Sequence, residues 1–214
     1  MFDRSMANDV ALQPSEMTGI MTGTRVATRA GWCPIEKVDA GTEVLTFDAS
    51  FQEVRDVQRA PIWTDNKACP QHLWPLEVPA GVLGNRDTLM LMPDQSILVE
   101  IDAAEVLFGD PFALIPVRAL DGVCGITRVP PEPEMIATTL RFDAEQIVFA
   151  NSGAMFLCPS TNNLLDIALS DSAPEQEYAV LPMGAAQQLA ALLGAAIHTE
   201  APQNWPEAAA APVS

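Results

Sequence analysis

A chain of 214 residues, 49% hydrophobic and 18% charged, carries enough apolar material for one substantial core and too little charge for wholesale disorder. Its 28 acidic residues against 11 basic ones give a formal charge of -17, which repels phosphate backbones and anionic headgroups. Neither nucleic acid nor a membrane is therefore an expected partner, and the acidity reads first as a solvated surface that favours solubility.

In chain order, residues 1–18 are polar and without period, with acids where a signal peptide carries basic residues. They read as a loose lead-in, and no stretch approaches the roughly 20 apolar residues of a membrane span, so a cytoplasmic protein is expected. From residue 25 the pattern changes to short apolar or alternating runs at 25–28, 43–47, 54–58, 73–78, 88–91, 97–101, 112–117, 126–129, 135–142 and 146–150. The spacing predicts an all-β domain. Asp39-Ala40-Gly41 and Gly84-Asn85-Arg86-Asp87 supply turn chemistry, because Gly and Asn accept positive φ at low steric cost. Pro61, Pro70, Pro75, Pro79, Pro93, Pro111, Pro116 and Pro130 lack the donor a ladder needs, which confines them to strand ends, edges or bulges. Residues 162–170 suit a short helix. Residues 184–198 place Ala185, Leu189, Leu192, Leu193 and Ile197 at helical spacing, so an amphipathic helix docked on the β body is expected there. The Ala- and Pro-rich tail, 199–214, offers nothing to bury and is expected to be disordered.

Few residue types able to do chemistry are present. Cys33, Cys69, Cys124 and Cys158 lie far apart, with only His72 and His198 as imidazoles, so no metal site is expected and the thiols are read as reduced. His72 reads as a surface imidazole and His198 as a cation at a helix C-terminus. Asp87, Asp94, Glu100, Asp102, Asp143 and Glu145 supply carboxylates, but no calcium-loop spacing orders them, and they read as solvated surface. Trp32, Trp63 and Trp74 are expected in the core and Trp205 in the tail. No cofactor is implied.

Four stretches, taken in order, resemble a known architecture. The first runs from Gly19-Ile20-Met21-Thr22-Gly23-Thr24 through Gly31-Trp32-Cys33-Pro34-Ile35-Glu36 to Val44-Leu45-Thr46. The second runs from Val78 to Gly84 and from Asp87 through Leu91-Met92-Pro93-Asp94-Gln95 to Val99, the third is Ala113-Leu114-Ile115-Pro116-Val117-Arg118-Ala119-Leu120 with Gly125 to Val129, and the fourth spans Leu140 to Gly153. Together they resemble the Hint domain of hedgehog autoprocessing proteins and inteins, over residues 19–157. The resemblance implies a horseshoe of long, bent antiparallel strands occupying residues 19–160, with 161–198 as a helical appendage.

The same resemblance marks what is missing. Where the family carries its nucleophile this chain has Gly19, Met92 replaces a hydroxyl residue, Gln95 replaces the His, and Glu145 stands where a further His is usual. Self-cleavage of the family's kind starts with a side-chain thiol or hydroxyl attacking the preceding carbonyl, assisted by a general acid. Gly19 has nothing to attack with and Gln95 does not titrate. The expected function is a degenerate, non-catalytic binding or interaction module with a protein partner that the sequence does not identify. The alternative is residual autoproteolysis by an N–O acyl shift with Thr18 or Thr22 as substitute nucleophile.

Overall fold

A computed structural model describes residues 18–63, 68–133, 135–151, 153–161 and 178–199. Residues 1–17 of the expected lead-in, the helix at 162–170, Trp205 and the tail beyond Thr199 lie outside the described residues. Strands dominate what is described. They are β1 (Ile20–Met21), β2 (Arg25–Thr28), β3 (Gly31–Pro34), β4 (Glu43–Thr46), β5 (Ser50–Glu53), β6 (Asp56–Pro61) and β7 (Leu76–Val78). Beyond these run β8 (Leu89–Leu91), β9 (Ser96–Glu100), β10 (Phe112–Pro116), β11 (Thr127–Arg128), β12 (Ile136–Arg141), β13 (Gln146–Ala150) and β14 (Ala154–Cys158). Two α-helices accompany them among the described residues, α1 (Asp102–Phe108) and α2 (Met183–Thr199).

The strands form two antiparallel sheets, ordered β11-β7-β8-β1-β12-β6 and β10-β9-β14-β13-β2-β4-β5, with β3 on β2. The chain passes between the sheets five times, and two of these crossings are joined bends. β5 lies in one sheet and β6 in the other, separated by Val54 and Arg55; β12 and β13 are divided in the same way by residues 142–145. Arg55 fastens the two bends together, since its guanidinium donates to Asp143 at 2.8–2.9 Å and its amide to the Arg141 carbonyl at 2.8 Å. The fold is all-β with bent strands, as the resemblance implied.

Prolines obey the donor rule: Pro34, Pro61 and Pro116 close their strands, and no proline lies inside one. The body is held by apolar side chains from both sheets, with Val26, Val44, Leu76, Leu91, Ile97, Ile115, Leu140, Phe142, Val148 and Phe156 all essentially solvent-free. Each such side chain contributes about 1.5–3 kcal/mol of transfer free energy. A second, smaller cluster gathers Met21, Ile62, Leu73, Met92 and Ala137.

α2 docks on the β body and joins its core. Its buried face is Ala186, Leu189 and Ala190 with Leu193 beside it, whereas Leu192 of the expected stripe is largely exposed. The face is thus rotated from the one the largest side chains suggested. Two alanines take the tight contact because their small side chains let the helix approach closely.

Three expectations are corrected. α1 forms where no helix was assigned; Asp102 and Glu105 in its first turn suit the helix dipole, and Gly109 at φ 81 ends it in the left-handed conformation. β1, β3, β5 and β14 also escaped the reading, the first because two residues carry no periodicity. The tryptophans do not fill the core: Trp32 is 41% exposed, and Trp63 and Trp74 are half-buried. Trp74 sits where its indole N–H can donate to the Cys69 carbonyl at 2.8 Å, a need that a dry interior would leave unmet.

Candidate functional site

Short as it is, β1 is clamped between β8 and β12, with Ile20 opposite both Thr138 and Leu91 and Met21 opposite Ala137. Ile20 and Met21 are 1% exposed, so their burial fixes the strand that propensity alone would not. The consequence is positional. Gly19 is delivered to the middle of the sheet, at φ 121, a region that side-chain-bearing residues rarely enter. A Cβ at this position would lie 3.2 Å from the Ala137 Cβ and 3.3 Å from the Thr138 carbonyl oxygen. Both the backbone and its surroundings are shaped for a residue without a side chain.

Gln95 reaches the same point from the other side. The turn after β8 brings its amide N–H to the Met92 carbonyl at 3.1 Å, and Val117 N–H returns to the Gln95 carbonyl at 2.9 Å. Its side chain is buried, and both ends of its amide are hydrogen-bonded. Nε2 donates to the Ser96 carbonyl at 2.9 Å and to the Leu157 carbonyl at 2.8 Å, while Oε1 accepts the Gly19 N–H at 2.9 Å. Two carbonyl acceptors on one side and an N–H donor on the other fix which way the amide faces.

These residues line a cavity of about 160 Å³ together with Thr18, Asp94, Thr139, Glu145 and Cys158. Asp94 is held by Arg118 at 2.6 Å. Glu145 contributes a carboxylate, and Cys158 a thiol. Burial pushes the Cys158 thiol up to about 12, because a thiolate there would be stripped of water. It stays protonated, hence a poor nucleophile, at neutral pH.

The structure therefore gathers Thr18, Gly19, Gln95 and Glu145 around one cavity and leaves two other marked residues outside it. Met92 does not line the cavity; it is fully buried in the smaller apolar cluster beside Met21. Thr22 is exposed beyond the end of β1, its hydroxyl donating to the Ile136 carbonyl at 3.1 Å. Of the six carboxylates weighed from sequence only Asp94 and Glu145 reach the cavity, and no group of three His, Cys, Asp or Glu is arranged to hold a metal among the described residues. His72 is exposed on a different loop, and the His198 side chain lies outside the description. Sequence reading missed Cys158 and the Leu157 carbonyl, which come from β14; only the pairing of β14 with β13 and β9 carries them to the site.

A family model described as the Hint domain matches residues 18–155, more than half of the chain. This protein belongs to the Hint domain family. Among solved structures it is similar to a splice-inactive variant of the AceL NrdHF class 3 split intein, at 14% identity and a TM-score of 0.41, over 67% of this chain and 99% of that one. It is also similar to a bacterial intein-like domain from Clostridium thermocellum, at 13% identity and a TM-score of 0.43, over 65% and 97% of the two chains. The gp41-1 intein matches at 13% identity and a TM-score of 0.40, over 66% and 98%. No curated protein matches the chain. Among the described residues, no helix of this Hint domain is long and apolar enough to cross a membrane.

Proposed function

We propose that this Hint domain has given up self-cleavage and serves as a non-catalytic binding module. The observation that carries the reading is the hydrogen bond from Gly19 N–H to Gln95 Oε1 at 2.9 Å. Cleaving the Thr18–Gly19 peptide requires a proton delivered to that nitrogen, and the group facing it is an acceptor with no proton to give. Its donor end is occupied by the Ser96 and Leu157 carbonyls, so a flip would set the Oε1 acceptor against two carbonyls and leave Nε2 facing an N–H.

Gly19 adds the loss of the attacking atom, and its backbone conformation opposes restoring one. Missing acid catalysis forfeits about 10²–10⁴ in rate, and a missing nucleophile removes the covalent route. Thr22 points to Ile136 rather than into the cavity, which counts against it as a substitute. Thr18 lines the cavity. Its attack on the peptide before it is the autoproteolytic alternative, and it would meet no general acid at Gln95.

Intact-mass measurement of the purified full chain, incubated for days with and without hydroxylamine, tests the proposal. A constant full-length mass is expected. Loss of the first 17 to 21 residues without added protease would overturn it.

A further inference from the structure

α1 inverts the usual arrangement of an amphipathic helix. Ala104 is fully buried and Ala103 partly so, while Val106, Leu107 and Phe108 are 87%, 53% and 48% exposed. The small residues face the core and the large apolar ones face solvent, the opposite of what burial of apolar area favours. Three such side chains on one turn form the kind of patch that marks a contact surface.

Acidic residues flank the patch along the chain. Glu100, Asp102, Glu105 and Asp110 are all exposed, and none of them is joined in an ion pair among the described residues. The arginines that do form ion pairs are engaged elsewhere: Arg29, Arg55, Arg59, Arg118, Arg128 and Arg141. Glu100 shares an apolar groove of about 210 Å³ with Val82, Leu83, Leu98, Met155 and Leu193.

We propose that this face docks a basic amphipathic segment of another protein, its apolar side chains on Val106, Leu107 and Phe108 and its Lys or Arg residues on the flanking carboxylates. Charge complementarity selects the occupant. A second copy would bring identical acidic residues against these, between two chains of formal charge -17, and an anionic membrane would be repelled in the same way. The inference deepens the binding-module reading by naming a partner class. A chain that cleaved itself would still present α1, so the mass measurement and the binding test fail independently.

The test is fluorescence anisotropy of the full chain with a labelled helical peptide carrying leucine on one face and lysine on the other. Binding is expected, weakened by salt, and absent for the same peptide with glutamate in place of lysine. Val106→Ser/Leu107→Ser/Phe108→Ser and, separately, Asp102→Asn/Glu105→Gln should each weaken it by about tenfold or more. All five side chains are exposed, and an unchanged melting curve confirms that each variant folds. Equal affinity for wild type and the serine variant would mean diffuse attraction to net charge, and would overturn the proposal. So would concentration-dependent dimerisation abolished by the serine variant, or equally tight binding to vesicles of anionic lipid.

Discussion

Replacing Gly19 with alanine isolates the claim that the site is built for a residue without a side chain. At φ 121 an alanine is held in a sparsely populated backbone region, at a cost of roughly 1–3 kcal/mol. The new methyl would lie 3.2 Å from the Ala137 Cβ and 3.3 Å from the Thr138 carbonyl, both on β12, which is paired on each side and yields poorly. Overpacking of that kind costs about 1–3 kcal/mol. Against this, alanine restricts the unfolded chain and returns about 0.4–1 kcal/mol. The net expectation for Gly19→Ala is a loss of about 3 kcal/mol, within a range of about 1–5.6 kcal/mol, readable as a shift of the urea midpoint at unchanged slope. Gly23→Ala is the control, because Gly23 has φ 87 but nothing within 4 Å of the added atom. It should cost about 1–2 kcal/mol from backbone strain alone. If the two variants unfold at the same urea concentration, the packing argument at Gly19 is refuted.

The remaining predictions address chemistry, burial and docking. Gly19→Cys alone should keep its full-length mass under hydroxylamine, and Gly19→Cys with Gln95→His should cleave before residue 19 at most in the fraction that tolerates the new side chain; equal cleavage by both would show that the orientation of Gln95 is immaterial. Because the Cys158 thiol is raised from 9.0 to about 12, its burial stabilises the fold fully below pH 9 and loses that stabilisation as pH climbs toward 12. The contribution falls by about 1.4 kcal/mol per pH unit. Cys158→Ala should therefore show a shallower alkaline decline, measured by denaturant unfolding between pH 8 and pH 11, and an equally steep decline would remove Cys158 as its source. Leu189→Ala, at the fully buried face of α2, should destabilise by about 2–5 kcal/mol, while Leu192→Ala on the exposed face should change stability by less than about 1 kcal/mol. A thermal scan that ranks them the other way would contradict the docked face described above.

Much of the site was legible as a list of substitutions. The positions of Gly19, Gln95 and Glu145 could be matched one by one to a family pattern, and the structure brings all three to one cavity. Legibility stopped at contacts that depend on register. That Met92 turns into an apolar cluster while Gln95, three residues on, turns to Gly19 depends on the bend at Pro93 and Asp94, which no periodicity announces. Cys158 and the Leu157 carbonyl are 62 or more residues away from Gln95 in sequence, and strand pairing alone brings them near. The inverted α1 was unreadable for a different reason: Val106, Leu107 and Phe108 look like core material, and only their exposure says otherwise.

What the residues determined unaided was the class of fold, the absence of a nucleophile at Gly19 and the chemistry that Gln95 lacks. The class of fold follows from alternation at a period of two, whereas the other two follow from the resemblance that marks the positions and from which atoms a side chain possesses. Tertiary structure decided the direction in which the Gln95 amide faces, the closed space around Gly19, the protonation of Cys158 and the outward face of α1. Each of these depends on what lies opposite across a sheet or is left without a neighbour, and a chain carries that information only once its distant segments have met.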